Sequence, residues 1–207
     1  MNTPPDRLAG TPVLYQQAIS ILRKLLEEAK AAGDTEPTAM TLSTVGSDGR
    51  VSSRVVLLKK LDTDGLCFFT NYESAKAGQL AVHDQAALNF HWKTLRDQVQ
   101  VRVEGVVEKL DPADSDAYFA TRPRMSQIGA WASLQSKELP DREVFDARVA
   151  EIEERYEGVD VPRPPHWGGY RLRPDLIEFW YGAGFRLHDR QRYEMKDGVW
   201  RKFLLYP

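Results

Sequence analysis

From Met40 to Leu205, apolar residues return mainly at every second position, and short polar turns separate the runs. Period two marks strands with one buried face. The clearest run is Gln98 to Lys109, where Val99, Val101 and Val103 alternate with Gln98, Gln100, Arg102 and Glu104. Met40 to Val45, Val51 to Leu61, Leu66 to Thr70 and Ala86 to Trp92 read as strands too. So do Gly169 to Leu172, Leu176 to Tyr181, Gln191 to Met195 and Trp200 to Leu205. Gly46-Ser47-Asp48-Gly49 and Asp62-Thr63-Asp64-Gly65 carry hairpin-turn chemistry. So many strands in hairpin order predict a mainly β, α+β fold: an antiparallel barrel, closed or partly closed, with flanking helices. Closure removes exposed strand edges.

Before this region the period is helical. Leu14, Ala18, Ile21, Leu22, Leu25 and Leu26 recur at three- and four-residue steps, and Gly33-Asp34 ends the stripe. Ser74 is placed to cap a short helix reaching about His83. Pro112 to Ala132 reads as short helices broken at Arg122-Pro123, and Glu143 to Tyr156 as a charged helix. Residues 1–11, with prolines and a glycine, read as a flexible segment; 12–207 reads as a single domain, which suits a chain of 207 residues.

Several function classes drop out. A net charge of −2 gives no basis for nucleic-acid binding or a cationic membrane surface. No segment approaches a membrane span. The single cysteine, Cys67, lies in the apolar run Leu66-Cys67-Phe68-Phe69, so it reads as a buried thiol and forms no intrachain disulfide. That fits a reducing, cytoplasmic setting. There is no phosphate-binding glycine fingerprint and no Gly-x-Ser-x-Gly elbow. His83, His91, His166 and His188 lack metal-ligand spacing, so no metal is expected.

Four clusters carry possible chemistry. In Arg54-Val55-Val56-Leu57-Leu58-Lys59 the charged ends differ by an odd number, so on a regular strand they face apart. They serve two separate anions or are solvated strand ends. Asn71-Tyr72-Glu73-Ser74-Ala75-Lys76 joins a strand to a helix start, which is either a phosphate site or an ordinary cap. If extended, Arg186, His188 and Arg190 share one face, and their charges repel unless an anionic ligand sits there. Phe179-Trp180-Tyr181 lies just upstream and suits a flat aromatic ligand; the alternative is a polar surface strand. Finally, Tyr118 and Arg122 are helix-face neighbours, and Ser126 either caps the next helix or binds phosphate.

Together these residues resemble the pyridoxine/pyridoxamine 5′-phosphate oxidase family. The resemblance runs through Arg54 to Lys59, Phe69-Thr70-Asn71, Arg122 to Ser133, Gln135-Ser136, His166 to Tyr170, Ile177-Glu178-Phe179-Trp180 and Arg186 to Arg190. Trp200 to Pro207 looks like the family's closing strand. It implies a split β-barrel and a homodimer with two flavin mononucleotide (FMN) sites at the interface. It implies oxidation of pyridoxamine or pyridoxine 5′-phosphate to pyridoxal 5′-phosphate, with dioxygen reoxidising the flavin to give hydrogen peroxide.

Carried over by position, Arg54, Val55, Val56, Leu57, Leu58, Lys59, Phe69, Thr70 and Lys76 look like FMN-binding residues, joined by Gln98, Gln135, Ser136, Trp180 and Arg190. Lys59, Tyr118, Arg122 and Ser126 match the substrate phosphate site, and Arg186 and His188 match the residues holding substrate over the flavin. His188 is either an orienting group or a proton acceptor. The chain departs from the family at Ala75, where arginine is common, and at Asp97. Residues 1–10 offer only Arg7 as a lid contact, so lid contacts are not carried over. The competing readings are a related FMN oxidase of another substrate, such as a phenazine precursor, and a non-catalytic module binding flavin or pyridoxal phosphate.

Overall fold

A computed structural model describes residues 13–207. The flexible segment expected over 1–11 lies outside the described residues. The element order is α1 (Val13–Ala31), β1 (Ala39–Val45), β2 (Val51–Leu57), β3 (Lys60–Asp62), β4 (Gly65–Asn71) and α2 (Ala75–Val82), then β5 (Gln85–Trp92) and β6 (Val99–Lys109). Three helices follow, α3 (Pro112–Ala120), α4 (Arg124–Ala132) and α5 (Arg142–Arg155), then β7 (Trp167–Tyr181), β8 (Asp189–Lys196) and β9 (Val199–Leu205).

All pairings are antiparallel, in the order β2-β1-β5-β6-β7-β4-β3, with β8 added to β7 and β9 to β8. The sheet curls into a half-barrel with flanking helices, the expected fold class. Its inner face is the alternation read in the sequence: Val99, Val101 and Val103 are fully buried, as are Leu88, Phe90, Ile177 and Phe179. α1 closes one side with Tyr15, Ala18, Ile19, Leu22 and Leu25. Its stripe is rotated from the expected one: Ile19 is buried, while Leu14, Ile21 and Leu26 pack at the margin. The Tyr15 ring lies 5.0 Å from Trp200, tying α1 to the last strand.

Two strand expectations need correction. The strand expected over 51–61 breaks at Leu58-Lys59 into β2 and β3. Leu58 turns into the core at 6% exposure. The parity argument that set Arg54 and Lys59 on opposite faces of one strand therefore fails. Conversely, 169–172 and 176–181 are one strand running through Pro174. Opposite it, the ladder shifts between Glu104 and Gly105. The proline's missing N–H falls at this irregularity, where little pairing is lost. A Cβ on Gly105 would lie 2.0 Å from the Arg173 carbonyl oxygen, so only glycine fits the bulge.

Candidate functional site

A cavity of about 530 Å³ opens between the end of β2, β4, α2 and the α3–α4 corner. That volume suits a small-molecule or cofactor site. The structure brings together here Val55, Val56, Leu57, Lys59, Phe69, Thr70, Lys76, Tyr118, Arg122, Ser126 and Gln135 from the sequence expectations. Thr121, Pro123 and Trp167 also line it and were not anticipated as site residues. Trp167 stood inside a recognised motif, but its packing against three aromatic rings is a tertiary fact.

The lining has a consistent sign: Lys59, Lys76 and Arg122 contribute, and no carboxylate does. Lys76 is 9% exposed and donates to Thr70 Oγ1 at 3.0 Å, Ser74 Oγ at 3.1 Å and Gln135 Oε1 at 2.6 Å. All three acceptors are neutral. Burial, with the nearby Arg54 charge second, pulls the ammonium down to about 8. A buried cation with only neutral partners is a place where an anion is stabilised.

Arg122 forms the second pole. Its guanidinium lies 4.5 Å from the Trp167 ring centroid and 5.6 Å from that of Phe119. Its Nη1 is buried without a hydrogen-bond partner. Burial lowers its pKa, partly offset by Tyr118. The Phe69 and Tyr118 rings stack at 4.0 Å, and Trp167 stacks on Phe69 at 5.5 Å. That wall depends on Gly169, where a Cβ would meet Phe69 Cε1 at 2.8 Å and Leu110 Cδ1 at 2.4 Å.

Local structure explains the placement. Pro123 stops α3 and sits at the N-cap of α4, turning Arg122 inward between the two helices. Ser126 lies inside α4, so it is not the cap. Ser74 occupies the α2 N-cap position but makes no side-chain cap; its hydroxyl donates to the Asn71 carbonyl instead. Arg54 does not line the cavity. It is committed to Leu42 O, Thr44 Oγ1 and Gln79 Oε1 at 3.2, 2.6 and 3.2 Å.

The remaining expected residues stand apart. Neither Leu58 nor Ser136 lines the cavity, and nor do Gln98, Trp180, Arg186, His188 and Arg190. The extended run expected over 186–190 is also incorrect. Gly184–Arg186 forms a 3-10 turn, with Phe185 at φ 56° and Arg186 at φ 62°. β8 starts only at Asp189, so Arg186 and Arg190 do not share a strand face. Just before this turn Gly182 packs against the Asp97 backbone, where a Cβ would lie 2.4 Å from its oxygen, so only glycine fits there. His188 instead packs on Trp180, with centroids 4.4 Å apart.

The sequence reading missed the role of Glu178. This carboxylate, 4% exposed, accepts from Arg190 Nε and Nη2 at 3.0 and 2.7 Å, from Arg192 Nη2 at 2.8 Å and from Arg102 Nη2 at 2.9 Å. Arg102 and Arg192 sit directly across from it on β6 and β8. Burial pushes its pKa up, but the hydrogen bonds from Arg192, Arg190 and Arg102 outweigh this and hold it at about 2.

The family profile described as Pyridoxamine 5′-phosphate oxidase matches residues 25–156. A second, described as Pyridoxine 5′-phosphate oxidase C-terminal dimerisation region, matches residues 167–207, which supports a homodimer. The chain is 53% identical over 196 residues to the pyridoxine/pyridoxamine 5′-phosphate oxidase of Xylella fastidiosa (strain 9a5c), covering 94% of each chain. It is 54% identical to the enzyme of that name from Myxococcus xanthus (strain DK1622), covering 89% of this chain and 88% of that one. Among solved structures, it is similar to PhzG from Burkholderia lata 383 in complex with tetrahydrophenazine-1-carboxylic acid. The TM-score is 0.86 at 33% identity, over 98% of this chain and 100% of that chain. A pyridoxamine 5′-phosphate oxidase-related, FMN binding protein from Nostoc punctiforme PCC 73102 shares the fold, with TM-score 0.70 at 18% identity and full coverage of both chains, 100% each. No described helix is long and apolar enough to cross a membrane. The match over both profiles and over nearly the whole length of these relatives establishes that the chain belongs to the pyridoxamine 5′-phosphate oxidase family.

Proposed function

We propose that the protein is an FMN-dependent oxidase that converts pyridoxamine 5′-phosphate and pyridoxine 5′-phosphate to pyridoxal 5′-phosphate, with dioxygen as electron acceptor and hydrogen peroxide as coproduct. The observation that carries this reading is a cavity with two cationic poles and no lining carboxylate. Bound FMN supplies hydride acceptance and reaction with dioxygen. The Lys76 pole, with Thr70 and Gln135, fits the cofactor phosphate, and Arg54 adds charge behind it. The family resemblance implies an arginine where the chain has Ala75, so this pole leans on Lys76 and Arg54.

The Arg122 pole, with Lys59, Tyr118 and Ser126, fits the substrate phosphate. Charge-assisted bonds there fix one end of the substrate and thereby aim the other. Gln98, Trp180, Arg186, His188 and Arg190 reach the site from the second protomer in this reading. Two observations support that: they lie off the cavity, and most fall in the region matching the dimerisation profile. Phe185, at 98% exposure, and Tyr206, at 93%, offer the apolar surface a partner would cover. A reducing, cytoplasmic setting suits the lone, buried Cys67.

FMN affinity should depend on pH through Lys76. The ammonium binds an anion and the amine does not. Affinity is therefore full below about 8 and falls as pH rises through that value, by up to about tenfold per pH unit. Flavin fluorescence titration of the apoprotein checks this, and a flat profile would remove Lys76 from the phosphate contact.

The flavin-loaded protein, given pyridoxamine 5′-phosphate in air, should form the aldehyde and peroxide in equal amounts. The likeness to PhzG favours a second reading, oxidation of a phenazine precursor. Turnover of tetrahydrophenazine-1-carboxylic acid with none of the phosphate ester would select it. Flavin binding without either product would leave a binding module.

A further inference from the structure

We propose that His188 acts as a neutral hydrogen-bond donor through Nε2, and that the Ala183 backbone N–H imposes this role. The inference rests on the reading above, in which this residue meets the substrate. The Ala183 N–H donates to His188 Nδ1 at 3.2 Å. A backbone N–H only donates, so Nδ1 must present its lone pair, and a neutral imidazole of that kind carries its hydrogen on Nε2. The ring packs on Trp180 with centroids 4.4 Å apart at 42°, which limits its reorientation. His188 makes no other hydrogen bond among the described residues, so Nε2 is the nitrogen left for a ligand.

The consequence is a choice between the two roles left open by the sequence. Nε2 already bears a hydrogen and takes no proton from substrate. A proton could enter only at Nδ1, on the side turned toward the chain's own backbone, where two N–H groups would then oppose each other. His188 therefore donates to an oxygen acceptor on the substrate, a hydroxyl or phenolate, and orients it. The same bond braces Arg186. Phe185 and Arg186 are consecutive non-glycine residues in the left-handed region, at φ 56° and 62°. Such residues are costly unless the surroundings hold them. The Ala183–His188 bond and the Leu187 N–H to Gly184 carbonyl bond, 3.2 Å each, close the turn around them.

Histidine-selective nitrogen NMR of the FMN-free protein reads the tautomer directly, with the His188 signals assigned by their loss in His188→Gln. The expected spectrum has Nδ1 unprotonated and Nε2 carrying hydrogen. In turnover, His188→Ala should lose about a hundredfold in kcat/KM, as when an oriented donor is deleted. His188→Gln, whose amide nitrogen can donate near the Nε2 position, should lose less than about tenfold. A proton-accepting role predicts that Gln is as inactive as Ala, because an amide takes no proton. Either that result or a spectrum with hydrogen on Nδ1 would overturn the proposal. An inert wild-type protein would refute the oxidase reading separately, and the spectrum would still decide the tautomer.

Discussion

Arg122→Ala should raise the KM for pyridoxamine 5′-phosphate by about a hundredfold while changing kcat only a few-fold. The guanidinium lies against the Trp167 and Phe119 rings, with a buried Nη1 that has no hydrogen-bond partner among the described residues. It is therefore preorganised for a ligand. Hydrogen bonds to charged groups contribute about 1.5–3 kcal/mol, and roughly 2.7 kcal/mol corresponds to a hundredfold. The phosphate is remote from the bond that reacts, so the interaction is made equally in ground and transition states, which places the loss in KM. Steady-state kinetics over a wide substrate range measures both constants. An unchanged KM would remove Arg122 from the phosphate site.

Glu178→Ala should be strongly destabilising, by about 3–5 kcal/mol, because it strands charges that a buried carboxylate had compensated. Arg102, Arg190 and Arg192 would then face one another across three adjacent strands, with Arg102 still paired to Glu104. Arg190 would also lose the two-point brace that sets its orientation, so flavin retention should weaken along with folding. Thermal denaturation and flavin release measure the two effects. The same carboxylate sets an acid limit. Its folded-state pKa, about 2, lies below the ordinary 4.5, so its stabilising effect is fully present above 4.5 and is lost as pH falls toward 2. Glu178→Gln should flatten that part of the stability profile. An unaltered profile would mean that other carboxylates dominate acid unfolding.

What the sequence disclosed and what it hid follow from how local each feature is. Alternation at Val99, Val101 and Val103 is a property of one strand, and it identified β6 correctly. Among the cavity residues, Arg122 sits at a break announced by local chemistry, with Pro123 directly after it. The break at Leu58-Lys59 is different. No glycine or proline marks it, and it exists because the Lys59 N–H bonds to the Cys67 carbonyl in a neighbouring strand, at 2.8 Å. The gap expected between Leu172 and Leu176 erred in the other direction, since the strand runs on through Pro174 only because of a bulge in β6. The turn at Gly184–Arg186 overrode an alternation of polar residues that looked extended. Glu178 was visible as a residue and invisible as a hub, because Arg102 and Arg192 reach it only through strand register.

The claim that matters most is that each site is assembled from two protomers: the cationic cavity of one and the Arg186–Arg190 turn of the other. Hybrid dimers test it. Arg122→Ala chains and His188→Ala chains are each assayed alone at low substrate, then mixed, unfolded and refolded together. If the site is shared, a hybrid dimer holds one site with both residues intact and one with neither. Random pairing makes half the dimers hybrid, so activity should return to roughly a quarter of the wild-type value. If all these residues served one protomer's own site, no hybrid would contain an intact one, and mixed dimers showing no more activity than the two variants apart would contradict the account.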